Sequence, residues 1–223
     1  MTAWREAQEL AEKKFLTSSC CPAFVEYIHK FFPDMAHHIS HNLSPMAEIA
    51  KYIKRIHPDS KVVFIGPCTA KKAERRLPQV KELVDCVLTF EELQALFDSR
   101  EIDLTALPGE ALDNASYFGR VFARSGGLAV AVEQALKERG VAPEDFQLNA
   151  ISCSGVEECR AALLRASRDM LPNNFIEGMA CENGCIGGAG CITHGPKSKA
   201  EVDQYGRQAM EKTIRDAIGI LDF

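Results

Sequence analysis

Nine cysteines are the residues of this chain with the clearest capacity for chemistry. Any one free cysteine is more often a packed side chain than a reactive one, so its neighbours in the sequence must decide its role. Their odd number and a reducing cytosol disfavour a framework of disulfides. Packed thiols, reactive thiols and metal ligands therefore remain. In the 223 residues they are Cys20, Cys21, Cys68, Cys86, Cys153, Cys159, Cys181, Cys185 and Cys191.

Three cysteine-containing turns lie beside the ends of predicted elements, where metal ligands are commonly found. They cover residues 17–22, with two adjacent cysteines, residues 66–74, with Gly-Pro-Cys after an apolar run, and residues 179–190, with a glycine-rich end. Glycines let the backbone approach a bulky cofactor and offer N–H groups to anionic ligands. Several thiolates together favour zinc or an iron–sulfur cluster.

Zinc is the first alternative for these thiols. A closed zinc site usually has two short-spaced pairs of ligands, and here only Cys181 and Cys185 form such a pair. The adjacent side chains of Cys20 and Cys21 point apart and would seldom bind one small ion together. An iron–sulfur cluster that takes one ligand from each of two distant turns and two from a third fits the pattern better.

Apolar periodicity indicates the elements that position these turns. It predicts helices over residues 3–14, 22–32, 45–56, 91–99, 126–139 and 155–167, and a long amphipathic helix over 199–221. We predict strands over 61–65, which reads as buried, 84–90 and 148–153, and an exposed loop over 108–118. Ser44 is expected to cap the third helix, with Glu48 placed as in a capping box. The alternation predicts an α/β fold, with a partly parallel sheet flanked by helices and no evident domain boundary.

Composition and charge exclude several other classes of function. The chain is 46% hydrophobic and 26% charged, as is typical of a globular protein, and its net charge of −5 does not favour nucleic acid or an anionic membrane as a partner. No apolar run approaches the roughly 18 residues of a membrane span, and the first residues lack a signal-peptide core. We therefore expect a cytoplasmic protein.

The three turns, in this order, resemble the three signature motifs of the iron-only (di-iron) hydrogenase catalytic domain. The motifs are T-S-C-C-P, P-C-T-x-K-x-x-E and E-x-M-A-C-x-x-G-C-x-x-G-G, and the resemblance runs from about Glu6 to the end. The variant spellings Thr-Ser-Ser-Cys-Cys-Pro and Gly-Gly-Ala-Gly-Cys are closer to sensory or uncharacterised branches of that family. The resemblance implies that residues 1–223 are a partial catalytic (H-cluster) domain without its N-terminal portion and without accessory ferredoxin-like clusters.

The resemblance also implies a cofactor and its ligands. In that family a 4Fe–4S cluster is joined through a cysteine sulfur to a di-iron unit that carries CO, cyanide and a bridging amine dithiolate. Carried over to this chain, the cluster ligands are Cys21, Cys68, Cys181 and Cys185, and Cys185 is the bridge to the di-iron unit. Met179 corresponds to a residue packed against that unit, although a core methionine is an almost equally good interpretation.

Further residues correspond to the family's proton and ligand chemistry. Cys20 resembles the thiol that relays a proton to the bridging amine, and Lys71 resembles the cation that donates to a cyanide ligand. Glu6, Ser40 and Glu9 are candidates for the outward proton route. The alternative for these three is two solvated glutamates and a turn serine, since Glu6 and Glu9 align only if the loop before Thr17 is shorter.

The remaining cysteines and two departures from the family complete the prediction. Cys153, Cys159 and Cys86 are expected to be packed thiols, Cys191 could lie near the cluster, and His37, His38 and His41 are expected at the surface. Gly66 replaces a methionine and Met46 a glutamine that many catalytic members have near the di-iron unit.

The resemblance predicts reversible oxidation of H2 and a set of partners. The alternatives are an H2 sensor and a hydrogenase-like iron–sulfur protein without a di-iron unit, serving cluster assembly or interaction. The expected partners are a ferredoxin-like electron carrier or a signalling protein, the enzymes that mature the di-iron unit, and a chain that supplies the N-terminal part.

Overall fold

The computed structural model describes residues 1–109 and 115–219. The α-helices within these residues are α1 (Thr2–Lys13), α2 (Pro22–Phe31), α3 (Pro45–Ile56), α4 (Ala70–Glu74), α5 (Phe90–Asp98), α6 (Tyr117–Val121), α7 (Gly127–Glu138), α8 (Val156–Ala166), α9 (Ser198–Arg207) and α10 (Ile214–Gly219). The strands are β1 (Leu16–Thr17), β2 (Val63–Ile65), β3 (Cys86–Leu88), β4 (Ala150–Ser154) and β5 (Phe175–Met179). Short 3-10 turns cover Pro33–His38, Leu104–Ala106 and Cys185–Gly187.

Two parallel sheets organise the described residues, which confirms the predicted α/β class. In the larger sheet β5 lies between β1 and β4, and all three strands are parallel. The second sheet pairs β2 with β3, also in parallel. Because parallel strands end at the same edge, the loops that follow them are brought together there.

The larger sheet and the helices around it enclose the main core. Helix α1 packs on α7, and α2, α7 and α8 contact the strands of this sheet. Ala3, Ala7 and Leu10 recur on one face of α1 and are buried, as the helical period requires. The adjacent polar face carries Glu9, which is mostly buried, and Lys13, which is exposed, so α1 links the core to the surface.

A smaller core lies under the second sheet and corrects one prediction. Phe64 and Val87 are paired across the sheet and lie in a core cluster with residues of α3 and with the buried Val80 and Val84, which precede β3. The opposite face carries Val63 and Ile65, which are 49% and 43% exposed. The prediction of a fully buried strand over 61–65 was therefore wrong, because within the described residues only one face of this sheet is covered.

Most predicted helices are confirmed, with ends that differ by one or two residues, but two strands were missed. Strand β1 has only two residues, too few to show a period. Strand β5 is fully buried, yet its middle residues are Glu177 and Gly178, which are types depleted in strands. Gly178 is required because a Cβ there would lie 2.3 Å from the ring of Phe24.

The prediction of one long helix over 199–221 was wrong. The structure ends α9 at Arg207 and begins α10 at Ile214, and residues 220–223 lie outside the described residues. The carboxylate of Glu138 accepts the N–H groups of Ile214 and Arg215 at 2.9 and 2.7 Å, so it starts a new helix there. The turn also buries Ile214 in the main core.

Two predictions near helix ends also differ from the structure. Ser44 caps α3 by accepting from the N–H of Ala47, but Glu48 forms an ion pair with Arg5 at 2.6 Å instead of a capping box. The predicted loop over 108–118 lies partly outside the described residues, and its end is helical because the buried Ser116 caps α6.

Substitution of Gly178 by Ala tests whether β5 is packed as tightly as the structure has it. The added methyl would overlap the buried Phe24 ring, so we expect a loss of about 3 kcal/mol in the free energy of unfolding, measured by urea denaturation. Gly195→Ala is the matched control, because its nearest neighbour is the Ser198 Oγ at 3.7 Å. Equal stability of the two variants would contradict this packing.

Candidate active site

The three cysteine turns meet because each follows a parallel strand. Cys20 and Cys21 follow β1, Cys68 follows β2, and Cys181 and Cys185 follow β5. Cys21 is also the N-cap of α2, whose first residue is a proline, a residue suited to the first position of a helix. The two sheets therefore contribute to one site at the carboxyl ends of their strands.

Glycines allow the second and third turns to pack backbone against backbone. The N–H of Gly190 donates to the carbonyl oxygen of Pro67 at 2.9 Å. A Cβ at Gly188 would lie 2.4 Å from that same oxygen, so no larger residue fits there without movement. The third turn is also anchored to the segment before α7, where the Cys185 N–H donates to the carbonyl of Ala123 at 2.7 Å.

The four candidate cluster ligands interact electrostatically across this junction. Burial raises the pKa of Cys185 to about 12, and the thiols of Cys21 and Cys68 add to the shift. Burial also raises the pKa of Cys181, again with help from Cys21 and Cys68. The pKa of Cys68 is raised by burial, although the Lys71 N–H opposes the shift. Thiols that interact in this way become thiolates together only if a cationic group neutralises them, which is what iron in a cluster does.

The donor set fits a cluster better than a single ion. In residues 1–109 and 115–219, no three Cys, His, Asp or Glu side chains are close enough to hold one metal ion, as a closed zinc site requires. A cluster of several irons spans a larger distance and takes its thiolates from separate turns. Cys21, Cys68, Cys181 and Cys185 meet that description.

A cavity of about 480 Å³ lies next to these thiols and has a mainly apolar wall. Several residues that the sequence assigned to the di-iron unit lie on it together, although they come from distant parts of the chain. Met46 and Gly66, the two departures from the family, also line it. The residues singled out from sequence that line the cavity are Cys20, Cys68, Lys71, Met179 and Cys185.

The ammonium group of Lys71 is buried at the edge of this cavity. Its Nζ donates to the Glu74 carboxylate at 2.6 Å and to the carbonyl oxygen of Cys20 at 3.3 Å. Both charged side chains are less than a tenth exposed, so their pairing keeps the cation in an otherwise unfavourable place. An ammonium has three N–H bonds, which leaves one for a group in the cavity.

The candidates for the proton route, Glu6, Ser40 and Glu9, lie close to one another. Glu6 is completely buried, and neither of its carboxylate oxygens has a hydrogen-bond partner of good geometry. Burial raises its pKa to about 8, Glu9 adds to the shift, and Ser19 and Ser40 lie near enough to oppose it. The Ser40 hydroxyl donates to the Glu9 carboxylate at 2.9 Å.

The inner and outer ends of this group differ in their protonation. Burial raises the pKa of the Cys20 thiol well above its usual value, and the neighbouring carboxyl of Glu6 adds to the effect. At Glu9 burial also acts upward, but hydrogen bonds from Lys13, His41 and Ser40 together lower the pKa. The alternative that Glu6 and Glu9 are two solvated surface glutamates does not hold for Glu6, which is fully buried.

Three functionally placed residues were not singled out from the sequence. Glu74 pairs with Lys71, His41 contacts Glu9, and Glu177 is a buried carboxylate that binds the N–H groups at the start of α7. Glu74 and Glu177 are the glutamates of the second and third motifs, so the motifs could have identified them. His41 was expected only to be exposed, and nothing in its sequence neighbourhood indicated its contact.

The structure also places the other four cysteines, and one prediction about them needs correction. Cys153 and Cys159 are both 1% exposed, which confirms them as packed thiols. The Cys191 thiol is buried and donates to the Ile186 carbonyl at 3.3 Å, next to the Cys185 turn. Cys86 was expected in the core but is only half-buried, because it lies on the open face of the second sheet.

The fold and site define a class, an iron-only hydrogenase-like α/β protein. The fold is similar to that of the solved FeFe-hydrogenase HydA1 from Chlamydomonas reinhardtii, with a TM-score of 0.66 and 19% identity, over 98% of this chain and 77% of that chain. The family model described as "Iron only hydrogenase large subunit, C-terminal domain" matches residues 1–189. The chain belongs to this family.

The chain is similar to proteins of two kinds, hydrogenases and a cluster assembly factor. The chain is 27% identical to iron hydrogenase 1 of Clostridium pasteurianum, over 91% of this chain and 43% of that protein. It is also 27% identical to the periplasmic Fe hydrogenase large subunit of Nitratidesulfovibrio vulgaris, over 85% of this chain and 56% of that protein. It is 33% identical to the cytosolic Fe-S cluster assembly factor NAR1 of Kluyveromyces lactis, over 40% of this chain and 19% of that protein. The chain thus spans about half the length of the hydrogenases it matches. No helix in its described residues is long and apolar enough to cross a membrane.

Replacement of Glu6 by Gln tests the buried carboxyl by its linkage to pH. The pKa of Glu6 is raised on folding from 4.5 to about 8, so its stabilising contribution is complete below pH 4.5 and is lost as the pH rises through 8. We expect the variant to be more stable than the native chain above pH 8, by up to about 5 kcal/mol, and similar near pH 5.

The measurement is urea denaturation of both proteins at several pH values, with the exposed Glu12→Gln on the same helix as the control. The control should keep the pH dependence of the native chain. If Glu6→Gln also keeps it, the carboxyl of Glu6 is ionised in the folded protein and its proposed protonation is wrong.

Proposed function

We propose that this protein catalyses the reversible oxidation of H2 to two protons and two electrons. The observation that carries the proposal is the single cavity on which Cys20, Lys71, Met179 and Cys185 lie together. One candidate ligand, one thiol that is not a ligand and one buried cation are what a cluster-linked di-iron unit would need from a protein. A protein that held only a cluster would have no use for the last two.

Cys21, Cys68, Cys181 and Cys185 would hold the 4Fe–4S cluster, and Cys185, which also lines the cavity, would join it to the di-iron unit. When bound, this group would supply the site where H2 is cleaved or formed and the path for its electrons. The third N–H of Lys71 would donate to an anionic cyanide ligand. Met179, which is 2% exposed, would pack against the same group and exclude water.

Cys20 would move the proton between the cavity and the interior of the protein. Its thiol is buried, lies on the cavity and feels the charge of the Glu6 carboxyl. A thiol that is not a metal ligand can accept a proton and release another to a neighbouring base. Glu6, Ser40 and Glu9 would then carry the proton to the surface, in that order.

The electrons that this reaction releases or consumes require a partner protein. We propose a ferredoxin-like carrier as the electron acceptor, or a signalling protein if the chain is an H2 sensor. The di-iron unit would need dedicated maturation enzymes. The cytoplasm is the proposed compartment.

A second candidate is a hydrogenase-like protein that carries the 4Fe–4S cluster alone, for cluster assembly or interaction. The similarity to the assembly factor NAR1 favours it, as do Met46 and Gly66, which alter the cavity wall. This function would need the four ligands but neither Cys20 nor Lys71. The two candidates therefore differ in whether CO and cyanide are bound.

Infrared spectra of the chain, expressed with the maturation enzymes, distinguish these candidates. We expect bands from metal-bound CO and cyanide, whereas a cluster signal without such bands would support the assembly function. Cys20→Ala should keep the bands and lower H2 turnover at least about 100-fold, because a positioned acid–base group contributes at least that much. Cys86→Ala is the control, since Cys86 is a half-buried thiol of β3, outside the site. Full turnover in Cys20→Ala would refute the relay.

The ligand assignment makes a separate prediction for Cys68. Replacement by Ala removes one of the four thiolates, so we expect the visible absorbance and the iron content of a 4Fe–4S cluster to fall to a small fraction of the native values. Cys153→Ala, which removes a packed thiol, should leave both unchanged. A native cluster content in Cys68→Ala would mean that another residue serves as the fourth ligand.

A further inference from the structure

Glu9, the last member of the proposed proton route, contacts the loop between the 3-10 turn Pro33–His38 and α3. The Nδ1 of His41 lies 2.6 Å from a carboxylate oxygen of Glu9, and the His41 backbone N–H also donates to this carboxylate at 3.1 Å. The His41 side chain is 75% exposed, whereas that of Glu9 is 14% exposed. His41 therefore joins a mostly buried carboxylate to bulk water.

A second group faces the same ring nitrogen. The Nζ of Lys13 lies 2.7 Å from the Nδ1 of His41 and 2.9 Å from the same oxygen of Glu9. Glu9 and Lys13 both belong to α1 and are the charged residues that contact the His41 ring among the described residues. A carboxylate acceptor and an ammonium donor thus converge on one nitrogen atom.

The Nδ1 atom therefore has a hydrogen-bond partner in both of its protonation states. When Nδ1 carries a proton it donates to Glu9, and when it has lost the proton it accepts a hydrogen bond from Lys13. Neither state leaves a polar atom without a partner, so the exchange requires no rearrangement of the loop. Histidine is also the side chain that exchanges its proton near neutral pH.

The loop that carries His41 is held in place by the strand that precedes the cysteines. The Ser40 N–H donates to the Thr17 carbonyl at 2.9 Å, and Ile39 forms a parallel bridge with Thr17. Ser40 is 4% exposed and donates to Glu9, and the Asn42 amide donates to Ser40 Oγ at 2.9 Å. A proton received at His41 thus reaches Glu9 and Ser40 through contacts that are already formed.

We propose that His41 is the surface proton acceptor and donor of this protein, exchanging protons between solvent and Glu9 with Lys13 as the counterpart on the same nitrogen. This inference rests on the proposed function, because only a proton-producing or proton-consuming site needs such an entry. The structural alternative is that Glu9, Lys13 and His41 merely fasten the loop to α1.

The first test uses the chain as expressed and does not depend on turnover. Nitrogen-15 NMR of the His41 imidazole is compared in the native chain, Glu9→Gln and Lys13→Met. Each substitution removes one of the two hydrogen-bond partners of Nδ1, so each should shift the Nδ1 resonance more than the Nε2 resonance. Identical Nδ1 resonances in all three proteins would overturn the proposal.

The second test measures H2 turnover of the matured chain. His41→Ala should keep the infrared bands of CO and cyanide but lower turnover about tenfold or more, and added imidazole should restore most of it, because a small base can then occupy the vacated place. His29→Ala, which removes an exposed histidine of α2, should be without effect. A structural fastening would not be repaired by imidazole.

The outcomes separate the relay from the function on which it rests. If the bands are absent from the native chain, the proposed function fails and the relay fails with it. If the bands are present and His41→Ala turns over at the native rate, or if imidazole does not rescue it, only the role of His41 is refuted.

Discussion

The carboxylate of Glu177, buried in the middle of β5, connects the segments on which the site depends. It accepts the N–H groups of Gly126, Leu128 and Ala129 at the start of α7, at 3.0, 3.3 and 3.0 Å, and the hydroxyl of Ser152 at 2.9 Å. Burial raises its pKa, while these donors oppose the shift. A buried carboxylate is tolerated only with such partners, and N–H groups at a helix start are suited to it.

The position of Glu177 explains why this interaction matters for the cysteines. It joins β4, β5 and α7 two residues before Met179 and four before Cys181. The segment just before α7 supplies Ala123 and Ser125, whose backbone atoms bind the turn that ends in Cys185. A shift of α7 would therefore move both cysteines of the third motif, so the positions of these two candidate ligands depend on Glu177.

An element of the fold could be predicted from the sequence where neighbouring residues determine it, but not where distant residues do. Helices such as α1 and α3 were predicted because their apolar residues recur at helical spacing. Strand β5 was missed because its Glu177 and Gly178 suit a strand only when α7 and Phe24 are already in place. The break between α9 and α10 was missed for the same reason, since its cause is Glu138, some seventy residues earlier in the chain.

The same limit applies to the candidate site, where local motifs were predictable and contacts between distant residues were not. The cysteine turns were evident from the motifs, and so was the separation between Cys20 and the four candidate ligands. The contact of His41 with Glu9 was not, because it joins residues that are 32 positions apart and depends on how the loop before α3 returns to α1. Sequence patterns thus indicated the chemistry near the cofactor, but not the side chains that connect it to solvent.

The two glutamates of the proposed proton route differ in their pKa values. Glu6 has a pKa raised to about 8 by burial, whereas hydrogen bonds lower the pKa of Glu9. At neutral pH a proton therefore rests on the inner carboxyl while the outer one is an anion. Paired carboxyl groups whose surroundings separate their pKa values commonly divide the roles of acid and base between them. In this chain the buried group would hold a proton ready for the cavity, and the anion near the surface would attract its replacement. The Ser40 hydroxyl, which can both accept and donate, would serve between them.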